Sequence, residues 1–503
     1  MSLITVSNLT FAYQGSYDNI FENVSFQLDT DWKLGFTGRN GRGKTTFLNL
    51  LRGKYPYQGS ITSSVGFDYF PFAVPDLSAL TADAAQQIEP SLALWQLRRE
   101  LNLLEADADG LLYRPFETLS KGEQTKVLLA LLFTRQNRYL LIDEPTNHLD
   151  LDARRAVGAY LARKPGFLLV SHDRAVLDAC TDHTLSINRT NIEIQRGSYS
   201  VWEQNKRLRD AAEAAENDRL KRDISRLTEA ARRTAAWASD VEKSKKGVRA
   251  AGLRPDRGHI GHMAAKMDRR TKAVADRRQK AVEEKSRLLR NVETAEDLKL
   301  RPLTHHASRL VEASKLSVCY SGCPVFQDVS FSIEPGERVC LAGRNGSGKS
   351  SILKLILGEP VPHTGALNLA SGLVCSYVSQ DTSFLQGSLS NIAQDAGIDE
   401  TLFLAILRKL DFERVQFEKQ AQTFSEGQKK KVLIARSLCQ RAHLYVWDEP
   451  LNFVDVLSRE QLERLLAACA PTMLFVEHDS RFAQAVATKF IELRPPSVFP
   501  RQD

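Results

Sequence analysis

The stretch GRNGRGKTT at 38–46 decides how this chain folds, and it occurs twice. Its second copy, GRNGSGKSS, stands at 343–351, 305 residues later. Each copy matches GxxxxGK[ST], follows an apolar run (KLGFTG or RVCLAG) and leads into a helical one (TFLNLLRG or SILKLILG). A strand, a glycine loop and a helix in that order let backbone N–H groups close round phosphates, and the helix N-terminus adds a favourable field. Three further pairs keep the register: LSKGEQTKV at 119–127 with FSEGQKKKV at 424–432, YLLIDEPTNHLD at 139–150 with LYVWDEPLNFVD at 444–455, and SHDR at 171–174 with EHDS at 477–480. Four motifs in one order at nearly one separation mark a duplicated α/β domain, roughly 1–200 and 306–503.

The segment between the copies, 201–305, has another character. Residues 203–245 and 263–298 contain no Pro or Gly and are rich in Ala, Leu, Glu, Lys and Arg, which predicts two long helices. Gly247, Gly252, Pro255, Gly258 and Gly261 place a tip loop near 246–262. Two charged helices and a short loop predict an antiparallel hairpin, each arm about 60 Å long at 1.5 Å per residue. Residues 206–290 hold 25 Lys and Arg against 13 Asp and Glu, whereas the whole chain carries a net charge of only +7. Within 232–280 the balance is 15 to five. A plain spacer has no need of positive charge at its far end; a phosphate-rich partner does.

Length and composition close off other classes. At 503 residues, two or three domains are expected, and 26% charged with 43% hydrophobic residues is an ordinary globular mixture. No run approaches eighteen apolar residues, so no membrane span is expected. The opening MSLITVSNLTFAY lacks the basic-then-apolar order of a secretory signal. The seven cysteines form no CxxC pair and no zinc cluster, and read as buried free thiols of a cytoplasmic protein.

The candidate phosphate-binding residues are Gly38, Arg39, Asn40, Gly41, Arg42, Gly43, Lys44, Thr45 and Thr46, and then Gly343, Arg344, Asn345, Gly346, Ser347, Gly348, Lys349, Ser350 and Ser351. Lys44 and Lys349 are placed to bridge β- and γ-phosphates, and Thr45 and Ser350 to hold Mg²⁺. Asp143 and Asp448 end apolar strands, where a carboxylate orders the metal shell; Glu144 and Glu449 follow them, placed to polarise an attacking water. His172 and His478 each end another apolar strand, within reach of a γ-phosphate.

These motifs and their order resemble the ATP-binding cassette (ABC) ATPases, with LSKGEQ and FSEGQ as the signature sequences. The resemblance implies an α/β chain of two P-loop nucleotide-binding domains, an intramolecular pair of cassettes packed head to tail, with ATP and Mg²⁺ in two composite sites. Ser120 and Gly122, or Ser425 and Gly427, would cap the ATP held by the other half. Tyr13 and Tyr320 look like the aromatic residues that stack on adenine, and Gln380 like the glutamine that senses Mg²⁺ and water. The first repeat reads YFPF at 69–72, with Phe72 where the glutamine belongs. The site built on Lys44, Asp143, Glu144 and Ser425 is therefore expected to work less well than the one built on Lys349, Gln380, Asp448, Glu449 and Ser120.

Several classes contain tandem cassettes. DNA-repair members carry zinc cysteines that are absent here, and cohesin-like arms are far longer than this linker. Fused transporter motors have short linkers. Here 76 residues separate lysine from signature serine in both repeats, which leaves little room to dock a membrane partner. The long linker without membrane segments resembles the ABC-F family. Within it, DEPLNFVD, the opening LITVSNLTFAYQGSYDNIFENVSF and the linker segment GHIGHMAAKMDRRTKAV resemble the Vga/Lsa-type antibiotic-resistance proteins. That likeness implies a ribosome partner, with the linker reaching from the E site toward P-site tRNA and large-subunit rRNA and relieving lincosamide, pleuromutilin and streptogramin A inhibition. A housekeeping or regulatory translation factor remains the alternative, and a fused transporter subunit a more distant one.

Overall fold

The computed structural model describes residues 2–13, 19–38, 42–135, 137–147, 149–187, 192–244, 298, 300–320, 323–412 and 414–494. The chain divides into two compact units, Met1–Trp202 with Ala295–Asp503, and Glu203–Thr294.

In the first unit both repeats build the same pair of sheets. In the first repeat a six-stranded sheet runs in the order Gly66–Phe70, Arg138–Asp143, Phe167–Val170, Lys33–Thr37, His183–Ile187, Ile192–Arg196. All pairings are parallel except the last. In the second, five parallel strands follow the matching order: Cys375–Val378, Leu444–Asp448, Met473–Val476, Arg338–Ala342, Lys489–Glu492. Parallel strands covered on both faces must be apolar throughout, which is why LLI, FLLV and MLFV carry no alternation and are wholly buried. A three-stranded antiparallel sheet stands beside each, Phe21–Asp29, Leu3–Phe11, Gln58–Thr62 and its counterpart Cys323–Ile333, Val311–Tyr320, His363–Leu369.

Each repeat has two cores. One lies between the two sheets and the helix after the glycine loop; the other joins the parallel sheet to a helical lobe. Val456 of the second repeat is buried in the helical-lobe core of the first. Charges join the halves as well: buried Arg174 pairs with Glu463, and Arg481 reaches Asp178 at 3.0 Å.

In the linker, a helix runs over Tyr199–Ser244, starting four residues before the expected position. Tyr199 and Trp202 explain the early start, because both are buried in the first repeat's core and hold the first turn there. Pairs four residues apart, Arg207 with Glu203 at 3.1 Å and Arg233 with Glu229 at 2.6 Å, support the exposed face. The expected tip loop at 246–262 and second helix at 263–298, apart from Leu298, lie outside the described residues. Of the described cysteines only Cys180 and Cys340 are buried, and Cys319 is exposed, so the expectation of uniformly buried thiols is corrected. The exposed Cys319 stands one residue from the end of the central strand Val311–Tyr320, opposite Pro324, rather than facing a core. Among the described residues no helix is long and apolar enough to cross a membrane.

Candidate active site

The glycine loops end in the helices Lys44–Leu51 and Lys349–Ile356. The residue before each helix is held at positive φ, 89° at Gly43 and 90° at Gly348. A Cβ there would stand 2.5 Å from Ile20 Cγ2 or 2.6 Å from Phe326 Cδ1, so only glycine fits. Lys44 Nζ donates to the Gly38 carbonyl at 2.7 Å, and Lys349 Nζ to the Gly343 carbonyl at 2.8 Å. Burial pushes both ammonium pKa values down, against the opposing pull of Glu144 and of Glu449. Both amines are buried beside the carboxylates, with little water round them.

Two clefts result, and each takes residues from both repeats. The first, about 430 Å³, is lined by Tyr13, Gly43, Lys44, Thr45, Thr46, Asp143, Glu144 and His172, with Ser425, Glu426, Gly427 and Phe453 arriving from the second repeat. The other, about 510 Å³, is lined by Tyr320, Asn345, Gly346, Gly348, Lys349, Ser350, Ser351, Gln380, Glu449, Asn452 and His478, with Ser120, Lys121 and Gly122 from the first repeat. Ser120 and Ser425 begin the helices Lys121–Leu132 and Glu426–Cys439. Each serine side chain accepts from the backbone three residues on, and Glu123 or Gln428 reaches back to the serine N–H. Both helix N-termini, with their positive field, thus face a cleft. Tyr13 and Tyr320 stand half-exposed at the rims, their hydroxyls bonded to Thr46 Oγ1 (2.8 Å) and Ser351 Oγ (3.1 Å).

Not every expected residue lines a cleft. Arg39, Asn40 and Gly41 lie outside the described residues. Arg42 is absent from the walls of the first cleft. Ser347 is buried behind its loop, and Arg344 turns toward Asp152, 3.7 Å away. The Asn345 backbone N–H donates to Asp150 at 3.2 Å, a further bond between the halves.

The acidic groups occupy matching places with different surroundings. Thr45 Oγ1 donates to Asp143 Oδ2 and Ser350 Oγ to Asp448 Oδ2, both at 3.0 Å. Glu144 and Glu449 sit at φ 51° and 46°, a left-handed backbone that costs a non-glycine residue energy and turns the side chain into the cleft. Glu449 Oε2 accepts from Gln380 Nε2 at 2.9 Å and Asn452 Nδ2 at 2.6 Å, and His478 Nε2 stands 3.4 Å from Oε1. Burial raises its pKa, but His478, Lys349 and Lys430 outweigh that and hold it below the usual value. Among the described residues the Glu144 carboxylate accepts from the His172 backbone N–H alone, at 3.4 Å, and His172 Nε2 lies 3.5 Å away. Burial and the neighbouring Asp143 push it up to about 8, and burial keeps His172 neutral. Phe72 packs instead against the helical-lobe core, with the Arg135 guanidinium 5.3 Å from its ring centroid. The Tyr69 hydroxyl donates to Asp143 Oδ2 at 3.0 Å.

The donor set suits a hard cation. Among the described residues Asp448 Oδ1 and Glu144 Oε1 are buried without a hydrogen-bond partner, and hydroxyl and carboxylate oxygens beside a phosphate site are what Mg²⁺ prefers. Tyr69, Asn452 and Phe453 were not singled out from the sequence. Asn452 had a signal, since Asn147 stands in register with it in DEPTN and DEPLN.

The model of the ABC transporter family matches residues 21–147 and 326–452. The chain belongs to the ABC transporter family. It binds ATP and is an ATPase, and its relatives along the whole length are of the ABC-F type. It is 25% identical to the probable ATP-binding protein YbiT of Escherichia coli O157:H7, over 99% of this chain and 97% of YbiT. It is 26% identical to the ribosome protection protein VmlR of Bacillus subtilis, over 96% of this chain and 85% of VmlR. Among solved structures it resembles the archaeal ribosome recycling factor aABCE1, crystallised with a ribosomal stalk protein. The TM-score is 0.63 at 19% identity, over 96% of this chain and 87% of that one, a likeness of fold.

Proposed function

We propose that this ATPase binds the ribosome and protects it from inhibitors of the peptidyl-transferase centre, of lincosamide, pleuromutilin and streptogramin A type. The observation that carries this reading is the likeness to a ribosome protection protein along nearly the whole chain. The surplus of twelve positive charges over 206–290 supports it, since affinity for RNA rests on charge contacts with phosphates. In this reading the protein works in the cytoplasm without a membrane partner, and its linker faces P-site tRNA and large-subunit rRNA.

Tyr13 and Tyr320 hold adenine, the loop amides and Lys44 or Lys349 hold the phosphates, and the signature helix of the opposite half closes on the γ-phosphate. ATP in these clefts therefore binds the halves together. Thr45 and Asp143 in one cleft, and Ser350, Gln380 and Asp448 in the other, would hold Mg²⁺, which would supply neutralisation of phosphate charge. Glu449, fixed by Gln380 and Asn452, takes a proton from the attacking water, and His478 beside it orients the site. Loss of the γ-phosphate loosens the joint, and the protein leaves the ribosome.

Replacing Glu144 and Glu449 together by Gln keeps the shape and removes both bases. The double variant should bind ATP, co-sediment with ribosomes and slow growth, while the wild-type gene protects a sensitive bacterium across a panel of such drugs. Absence of the ATP-loaded variant from the ribosome fraction would overturn the reading. Ribosome binding without drug protection would instead favour a translation factor.

A further inference from the structure

The helix Glu426–Cys439 serves two places at once. Its first residues line the first cleft, where Ser425, Glu426 and Gly427 stand opposite Lys44 and Glu144. One turn further on, Lys430 is buried at 2% exposure, and its Nζ donates to the Ser379 carbonyl at 2.8 Å. Ser379 precedes Gln380, whose amide donates to Glu449 in the second cleft. A second bond runs alongside, from Thr382 Oγ1 to Glu426 Oε2 at 2.6 Å. Further along the helix, Arg436 donates to the Tyr377 carbonyl at 3.3 Å. The segment 377–382 is thus tied to the helix on both sides of the glutamine.

The first repeat has no such ties. Lys430 corresponds to Thr125, whose hydroxyl is spent on the Lys121 carbonyl of its own helix. Among the described residues no side-chain hydrogen bond joins 70–78 to the helix Lys121–Leu132, and the glutamine position there is Phe72. The buried lysine and the glutamine are therefore both present in one half and both missing in the other. Burying an ammonium group is costly unless it is bonded, and the Ser379 carbonyl is the acceptor Lys430 is given.

We infer that Lys430 is a positioning residue for ATP hydrolysis in the second cleft, holding Gln380 against Glu449 from a helix whose N-terminus forms a wall of the first. The inference rests on the reading of Glu449 as the base of the second cleft. It makes the signature helix a link between the two sites: a helix that moves with the contents of one cleft carries the glutamine of the other. Loss of the tie leaves every group that touches ATP in place but lets the base drift. It should therefore lower kcat and spare KM.

Lys430→Met keeps length and apolar fit while removing the donor. Its kcat should fall about tenfold, the scale of a misplaced catalytic group, with KM for ATP within about twofold of wild type. Lys430→Arg, which keeps charge and donor, should recover most of the loss. The deciding measurement repeats Lys430→Met in a Glu449→Gln background, where it should take nothing further from the residual turnover. Wild-type kcat in Lys430→Met, a KM that rises in step with the fall, or an equal fractional loss in that background would each overturn the inference. If thermal melting shows Lys430→Met unfolded, Thr382→Val carries the same test, with a smaller drop expected in the wild-type background and none in the other. If Glu449→Gln by itself keeps full turnover, the reading of the second cleft falls, and this inference falls with it.

Discussion

The two clefts are written with the same motifs and furnished differently. Both have a buried lysine, a hydroxyl on an aspartate and a glutamate at positive φ. Yet Glu449 is held by Gln380, Asn452 and His478, whereas among the described residues the Glu144 carboxylate has one long bond from a backbone N–H and a histidine beside it. The protonation tendencies diverge accordingly, with Glu144 pushed up to about 8 and Glu449 drawn down. The difference teaches that a motif places a carboxylate but does not by itself supply the donors that aim it. Gln380 comes from a loop outside that motif, where the first repeat has Phe72; Asn452 lies within it, yet among the described residues the Asn147 side chain at the matching position makes no bond to Glu144.

The largest effect should come from removing each base alone. Glu449→Gln is expected to cost at least about tenfold in steady-state ATPase with ribosomes present, while Glu144→Gln should leave more than half. Equal losses, or a heavier loss from Glu144→Gln, would erase the distinction between the clefts. A middling effect is expected from Asn452→Ala, which removes the shorter of the two bonds to Glu449 and should lower kcat by about three- to tenfold. Asn147→Ala, at the matching position, should change kcat by less than about twofold, since among the described residues its side chain makes no bond to Glu144. A lesser effect than that of Asn452→Ala belongs to Tyr69→Phe. Measured in the Glu449→Gln background, it should reduce the remaining turnover by about two- to threefold if the Tyr69 hydroxyl steadies Asp143 in place of the absent glutamine. No change there would show that the hydroxyl only satisfies a buried carboxylate.

Much of this was legible before any coordinates. The glycine loops, the strand-ending carboxylates, the signature serines and the repeat could be read because each motif encodes a backbone requirement: an amide cradle, a strand end, a capped helix. Phe72 announced that the clefts differ. What could not be read is where long side chains end. Nothing in FSEGQKKKV shows that Lys430 turns inward to Ser379 while Lys429 pairs with Glu426 at 3.0 Å. Nothing in YFPF says that Tyr69 reaches Asp143, because that depends on the register of the strand Gly66–Phe70 against Arg138–Asp143. The helix from Tyr199 began earlier than its composition suggested for a similar reason, since two aromatic anchors outweighed a charged pattern.

That each cleft borrows its cap from the other half has an evolutionary consequence. A homodimer of one such repeat would carry every substitution twice, once per cleft, so a change that idles one site idles both. Once two copies share a chain, the symmetry is no longer enforced. Position 72 could become phenylalanine while position 380 stayed glutamine, and position 125 could be threonine while position 430 became a buried lysine. Fusion therefore leaves each site free to change by itself, a freedom that no two-fold axis allows.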